Sequence, residues 1–159
     1  MRIAFGPFAA LALTACATMP ADAADRGLRS ISYEAGPCFG ACPAYRVIVY
    51  ADGTGLFEGR RFTAVSGERS FTVTPAQFRA FAAGLAPDRP AQGERRYAGE
   101  SCRRMATDQD SLEIVWRGTG EQRLNVYYGC DMERNRAMFE RLRAAPRLLP
   151  IEAFIRAGP

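Results

Sequence analysis

Between residues 28 and 73 the apolar positions follow the period of a strand. Residues 28–34 alternate, 45–50 (YRVIVY) are β-branched and aromatic, and 55–59 and 69–73 continue the pattern. Asp52-Gly53 separates the second and third runs, a turn dipeptide between apolar segments and so a hairpin signal. Ser66-Gly67 marks the turn before the fourth. The period then changes. Phe78, Phe81, Ala82 and Leu85 recur at helical spacing and line one face. Thr74 stands at the N-cap, Pro75 at the first helical position, and Gln77 completes a capping box. Residues 112–116 and 123–127 return to strand period around a glycine-containing turn at 117–121. Asp131 is the expected N-cap of a second helix reaching about Ala144, with Met138, Phe139 and Leu142 as its apolar stripe. A short apolar tail, 148–155, is expected to dock on the core.

The element order is therefore ββββαββα. Short turns between strands mean antiparallel pairing. The expected fold class is α+β, a single antiparallel sheet of about six strands with two helices packed on one face. The other face is then solvated or a binding surface. The stretch 86–104 holds Pro87, Pro90, Gly93 and Gly99 and shows no period. It reads as a long loop, functional or held in place, with Cys102 as the pin.

The first residues carry a different signal. Arg2 precedes an apolar run over 3–13, which has signal-peptide length and is too short for a permanent membrane span. Leu13-Thr14-Ala15-Cys16 resembles a bacterial lipobox: small residues admit the cut bond to a peptidase, and a thiol accepts a diacylglycerol group. The expected organisation is a lipoprotein signal peptide over 1–15, a lipidated N-terminus and tether over 16–27, and one globular domain over 28–159. Acylated Cys16 would hold that domain on a lipid membrane. With Ala rather than Asp at position 17, the expected site in a diderm cell is the outer membrane, facing the periplasm.

Composition narrows the chemistry. The formal net charge is +4, or +3 once the single Arg of residues 1–15 is removed. All 21 basic residues are Arg, scattered among 17 acids. That scatter fits a coding bias better than an anion-binding patch. With no basic stripe and no interleaved aromatics, nucleic acid is not an expected partner. The chain has no His. This removes His-based triads, imidazole metal sites and the usual general base near neutral pH. No cofactor and no metal are expected.

Four cysteines remain beyond the signal segment: Cys38, Cys42, Cys102 and Cys130. In an exported chain they read as two disulfides with three possible pairings, of which Cys38–Cys42 with Cys102–Cys130 is favoured. Chain entropy gives the longer loop roughly 3–4 kcal/mol and the shorter about 2 kcal/mol. Two sharper readings compete. A four-thiolate zinc site usually needs close spacing in both pairs, and only Cys38 and Cys42 are close. A thiol redox or Cu(I)-handling pair at Cys38 and Cys42 has a parallel in copper chaperones with a Cys-x-x-x-Cys-Pro motif. Those need a distant His ligand, and their motif leads into a helix, whereas Pro43 leads into a strand.

The block Cys38-Phe39-Gly40-Ala41-Cys42-Pro43-Ala44-Tyr45, then 47–50, Asp52-Gly53, Glu58-Gly59, Thr107-Asp108 and Tyr127-Tyr128-Gly129, resembles the domain of unknown function DUF6438. This family comprises small bacterial lipoprotein or secreted domains, and the likeness covers most of 31–142. The resemblance implies that Cys38–Cys42 is a self-contained unit and Cys102–Cys130 an addition. It carries no activity.

The leading functional expectation is a membrane-anchored envelope lipoprotein, a non-enzymatic module that binds an envelope protein, peptide or glycan. Phe39, Tyr45, Tyr50 and Trp116 are the candidate binding surface, with core packing as the plainer reading of each. An inhibitor of lysozyme is disfavoured by the positive charge, because lysozymes are themselves usually basic. The alternative is the Cys38/Cys42 redox or copper role. A carboxylate hydrolase using Asp108 and Asp110 lacks any motif that sets a second acid opposite them.

Overall fold

The computed structural model describes residues 27–156. The signal segment, Cys16 and nearly all of the tether lie outside the described residues. Seven strands form one sheet: β1 (Ser30–Ala35), β2 (Ala44–Tyr50), β3 (Thr54–Arg61), β4 (Gly67–Thr72), β5 (Gly93–Tyr97), β6 (Ser111–Arg117) and β7 (Glu121–Tyr127). Three helices accompany them: α1 (Pro75–Leu85), α2 (Met132–Ala144) and the short α3 (Glu152–Ile155). The spatial order is β4-β3-β2-β1-β6-β7-β5.

Alternation sets the faces. Ile31 and Tyr33 of β1 stand opposite Val49 and Val47 of β2 and opposite Trp116 and Ile114 of β6. Those side chains share one buried cluster with Phe57, Leu124 and Val126 of the neighbouring strands, Phe78, Phe81 and Leu85 of α1, and Phe139 and Leu142 of α2. Both main helices therefore cover the same face. The tail 148–155 docks as expected, with Leu149 and Ile151 buried.

The opposite face is a ladder of Glu and Arg. Arg60 pairs with Glu34 and Glu58, Arg123 with Glu113 and Glu121, and Arg117 with Glu121. Exposed pairs of this kind contribute little stability each, but they keep that face wet.

The α1 cap is built as its sequence requires. The Thr74 hydroxyl accepts from the Gln77 N–H at 3.2 Å, and the Gln77 side chain accepts from the Thr74 N–H at 2.9 Å.

Two expectations need correction. The sheet has seven strands and is mixed, because β5 lies parallel to β7 at an edge. It falls inside the stretch read as a loop. Its sequence GERRY has no apolar alternation, since an edge strand is recruited through its backbone and leaves charges outward. Asp131 does stand at the start of α2, but it adopts φ 44° and ψ 52° and its side chain does not cap the helix.

Candidate functional site

One end of the sheet collects the irregular structure. Ala35 closes β1 opposite Tyr45 and Leu112, Ala44 faces Arg61, and Ser111 faces Tyr127. The segments 36–43, 62–66, 98–110 and 128–131 therefore emerge together. The described chain starts at the other end, where Ser30 pairs with Tyr50 and Arg117. Six residues of strand put the two ends about 20 Å apart.

Both disulfides sit at this loop end. Cys38–Cys42 closes 36–43 with Cα atoms 5.7 Å apart, and Cys102–Cys130 joins 98–110 to the end of β7 with Cα atoms 5.2 Å apart. The favoured pairing is the one formed. Zinc on four thiolates would require both bridges to open. Among the described residues no cluster of three or more Cys, Asp or Glu side chains could hold a metal ion.

The loops are stitched to one another. The Phe39 N–H donates to the Asp108 carbonyl at 3.2 Å, which ties the small disulfide loop to its neighbour. The Asp131 carboxylate accepts the N–H groups of Arg103 and Arg104 at 3.1 and 2.8 Å. Those backbone bonds hold it below the usual carboxylate range. The Ala106 N–H donates to the Gly129 carbonyl at 2.9 Å. Phe62, Asp108 and Asp131, the non-glycine residues with positive φ among those described, all lie at this end. Such conformations persist only where the surroundings impose them, and they concentrate at functional sites.

The four aromatic candidates do not form one surface. Phe39 is 88% exposed at the tip of the Cys38–Cys42 loop. Tyr50 is exposed at the far end of the sheet. Trp116 is fully buried, and its indole N–H has no acceptor among the described residues. Tyr45 is buried in the core, stacked between Tyr33 and Phe57. Parity explains both burials: Trp116 shares a strand face with Leu112 and Ile114, and Tyr45 shares one with Val47 and Val49. Phe62, Met105 and Met132 are large apolar side chains that also stay exposed at this end of the sheet.

Sequence reasoning missed a second cluster on the helix side of this end. Tyr33, Tyr45 and Tyr128 bring their hydroxyls together beneath α2. The Tyr33 hydroxyl donates to the Leu142 carbonyl at 3.2 Å. The Arg143 guanidinium lies 4.0 Å from the centre of the Tyr128 ring and pairs with Asp110. Burial, the leading cause, pushes all three phenols above their ordinary range. Asp110 is thus engaged by Arg143, while Asp108 occupies a turn. The nearest sequence signal was the i,i+4 pair Arg143 and Arg147, which gives no hint of the tyrosines it joins.

Three clefts border the loop end. One of about 470 Å³ lies between 103–106 and the first turn of α2, and one of about 550 Å³ runs along α2 past Arg136 and Phe139. The third, of about 200 Å³, is lined by Tyr45, Arg143, Arg147 and Arg156.

The two disulfides are consistent with an extracytoplasmic protein. Among the described residues no helix is long and apolar enough to cross a membrane. The family model described as "Domain of unknown function (DUF6438)" matches residues 29–146. No curated protein and no solved structure matches. The matched span takes in the whole sheet and α2, so the chain belongs to the DUF6438 family.

Proposed function

We propose that this DUF6438 protein is a lipid-anchored envelope module that binds a protein, peptide or glycan through the loop end of its sheet, without catalysing a reaction. The observation that carries the reading is Phe39. A large aromatic side chain is held out to solvent by a disulfide-closed loop, and a backbone bond to Asp108 holds that loop in place. Ordering cost is met before any partner arrives, which is how a rigid aromatic anchor gains affinity. Phe62, Met105 and Met132 are further exposed apolar side chains at the same end of the sheet. Three of the blocks that carry the family likeness, 38–45, 107–108 and 127–129, lie at this end, whereas Asp52-Gly53 turns at the other.

Anchoring through acylated Cys16 would attach the domain by the chain that enters at the opposite end of the sheet from the Phe39 loop. Two experiments test the proposal. A photo-crosslinking residue at position 39 should capture a discrete partner in intact cells, and the same residue at Ser70, on the open face, should not. Equal background labelling at both positions would sink the binding role. Replacing Cys16 by Ala should move the protein from the membrane fraction to the soluble one and abolish fatty-acid labelling. Retention on the membrane without label would end the lipid-anchor reading. Selective opening of Cys38–Cys42 by a mild reductant, with Cys102–Cys130 intact, would replace the binding role by thiol redox or Cu(I) chemistry.

A further inference from the structure

The cleft of about 200 Å³ has the composition of an anion site. Its lining includes Arg143, Arg147 and Arg156 against a single acid, Glu152, with Tyr45 and Ile155 alongside. Arg143 is occupied by Asp110 and by the Tyr128 ring. Arg147 and Arg156 make no ion pair among the described residues. Two guanidinium forks are therefore available at one cleft. Tyr45, only 6% exposed, lines the same cleft.

Guanidinium groups gathered at one cleft repel one another, and an anion offsets that cost. A carboxylate carries a single charge and would leave one of the two unpaired guanidinium groups uncompensated. A phosphate monoester has three terminal oxygens and a charge near −2, which matches the lining. The space equals that of about six waters, enough for the phosphate and the first atoms of its substituent.

We propose that the cleft formed by Tyr45, Arg143, Arg147 and Arg156 binds a phosphate monoester, carried by a soluble molecule or by a lipid headgroup. The proposal rests on the reading of this end of the molecule as a binding surface and names a chemistry for its helix side. It does not pass through Phe39.

The test uses the full chain in zwitterionic detergent micelles, followed by backbone amide shifts in NMR. Inorganic phosphate is titrated in one arm, and phosphatidic acid is doped into the micelles in the other. A saturable shift at Tyr45 and its neighbours is expected. Binding should weaken about tenfold in Arg147→Ala and again in Arg156→Ala, and stay unchanged in Arg79→Ala, a change on the outer side of α1. Binding of phosphatidic acid at least about tenfold tighter than phosphate assigns the lipid headgroup, and equal affinity assigns a soluble ligand. Three results would overturn the site: no saturable shift in either arm, undiminished binding by the Arg147→Ala/Arg156→Ala double variant, or competition by acetate as effective as by phosphate. Lost phosphate binding with crosslinking retained at position 39 defeats this site alone. The reverse defeats only the partner-binding role.

Discussion

Asp88 and Arg141 form a two-bond fork across the helix layer. Arg141 Nε donates to Asp88 Oδ2 at 2.9 Å, and Nη2 donates to Oδ1 at 2.8 Å. Asp88 is buried just past α1, while the Arg141 head on α2 is partly exposed. Truncating the arginine would strand a buried carboxylate. Arg141→Ala should cost about 2–3 kcal/mol in urea denaturation, below the range for a fully enclosed pair because water reaches the guanidinium side. Arg141→Lys should recover only part, since an ammonium group cannot make the fork. A loss under about 0.5 kcal/mol for Arg141→Ala would show that the pair holds nothing together.

The two bridges should differ in weight. Cys102–Cys130 spans 28 positions and Cys38–Cys42 spans 4. Loop-closure entropy then assigns about 3–4 kcal/mol to the first and about 2 kcal/mol to the second. Paired Cys→Ser variants, compared by urea midpoint, should fall in that order. The reverse order would mean that the small loop supports far more of the fold than its own eight residues, 36–43.

Stability should be level across neutral pH and fall at both ends. The chain has no His to titrate between pH 5 and 8. Asp52, Glu58, Glu121 and Asp131 are all held below their ordinary range, by backbone bonds for Asp52 and Asp131 and by Arg partners for the two Glu. A lowered folded pKa means that the unfolded chain binds protons first. Their stabilisation is complete above the ordinary carboxylate pKa and is lost as pH falls through the folded values. At the other end, Tyr33, Tyr45 and Tyr128 are raised by burial. The unfolded phenols ionise first, so this contribution is present below about pH 10 and declines above it. Phenolate absorbance for these three should rise only with alkaline unfolding. A rise before unfolding would place their hydroxyls in water.

Gly129 marks a close approach rather than a special φ. A Cβ there would meet the Ala106 carbonyl oxygen at 2.1 Å, a backbone atom of the segment stitched to β7. Gly129→Ala should cost about 1–3 kcal/mol and loosen 103–106. Gly120→Ala, whose nearest neighbour would be the Gln122 side chain at 4.0 Å, should be close to neutral. Hydrogen exchange at Arg103, Arg104 and Ala106 checks the first, and unchanged protection there would contradict it.

Much of this was legible along the chain, because the signals are local. The capping box at Thr74 and Gln77 needs only four residues, and strand alternation needs only neighbours. The same alternation puts Trp116 and Tyr45 on the core side of their strands, and their place among the candidate binding residues passed over it. Asp131 was legible as a helix start but not in its role, since its carboxylate is captured by Arg103 and Arg104, nearly thirty residues earlier in the chain.

The sequence by itself determined the helix-covered sheet, the capped α1 and the likeness at 38–45, each of which depends on residue type and short spacing. Tertiary structure alone decided that Gly93–Tyr97 joins the sheet edge in parallel, because an edge strand is chosen by free backbone groups and not by its side chains. It alone brought Tyr45 to Arg143, Arg147 and Arg156, and Phe39 to Asp108. Those neighbours are set by where the ends of strands and helices fall once the core has packed, and no period in a chain records that.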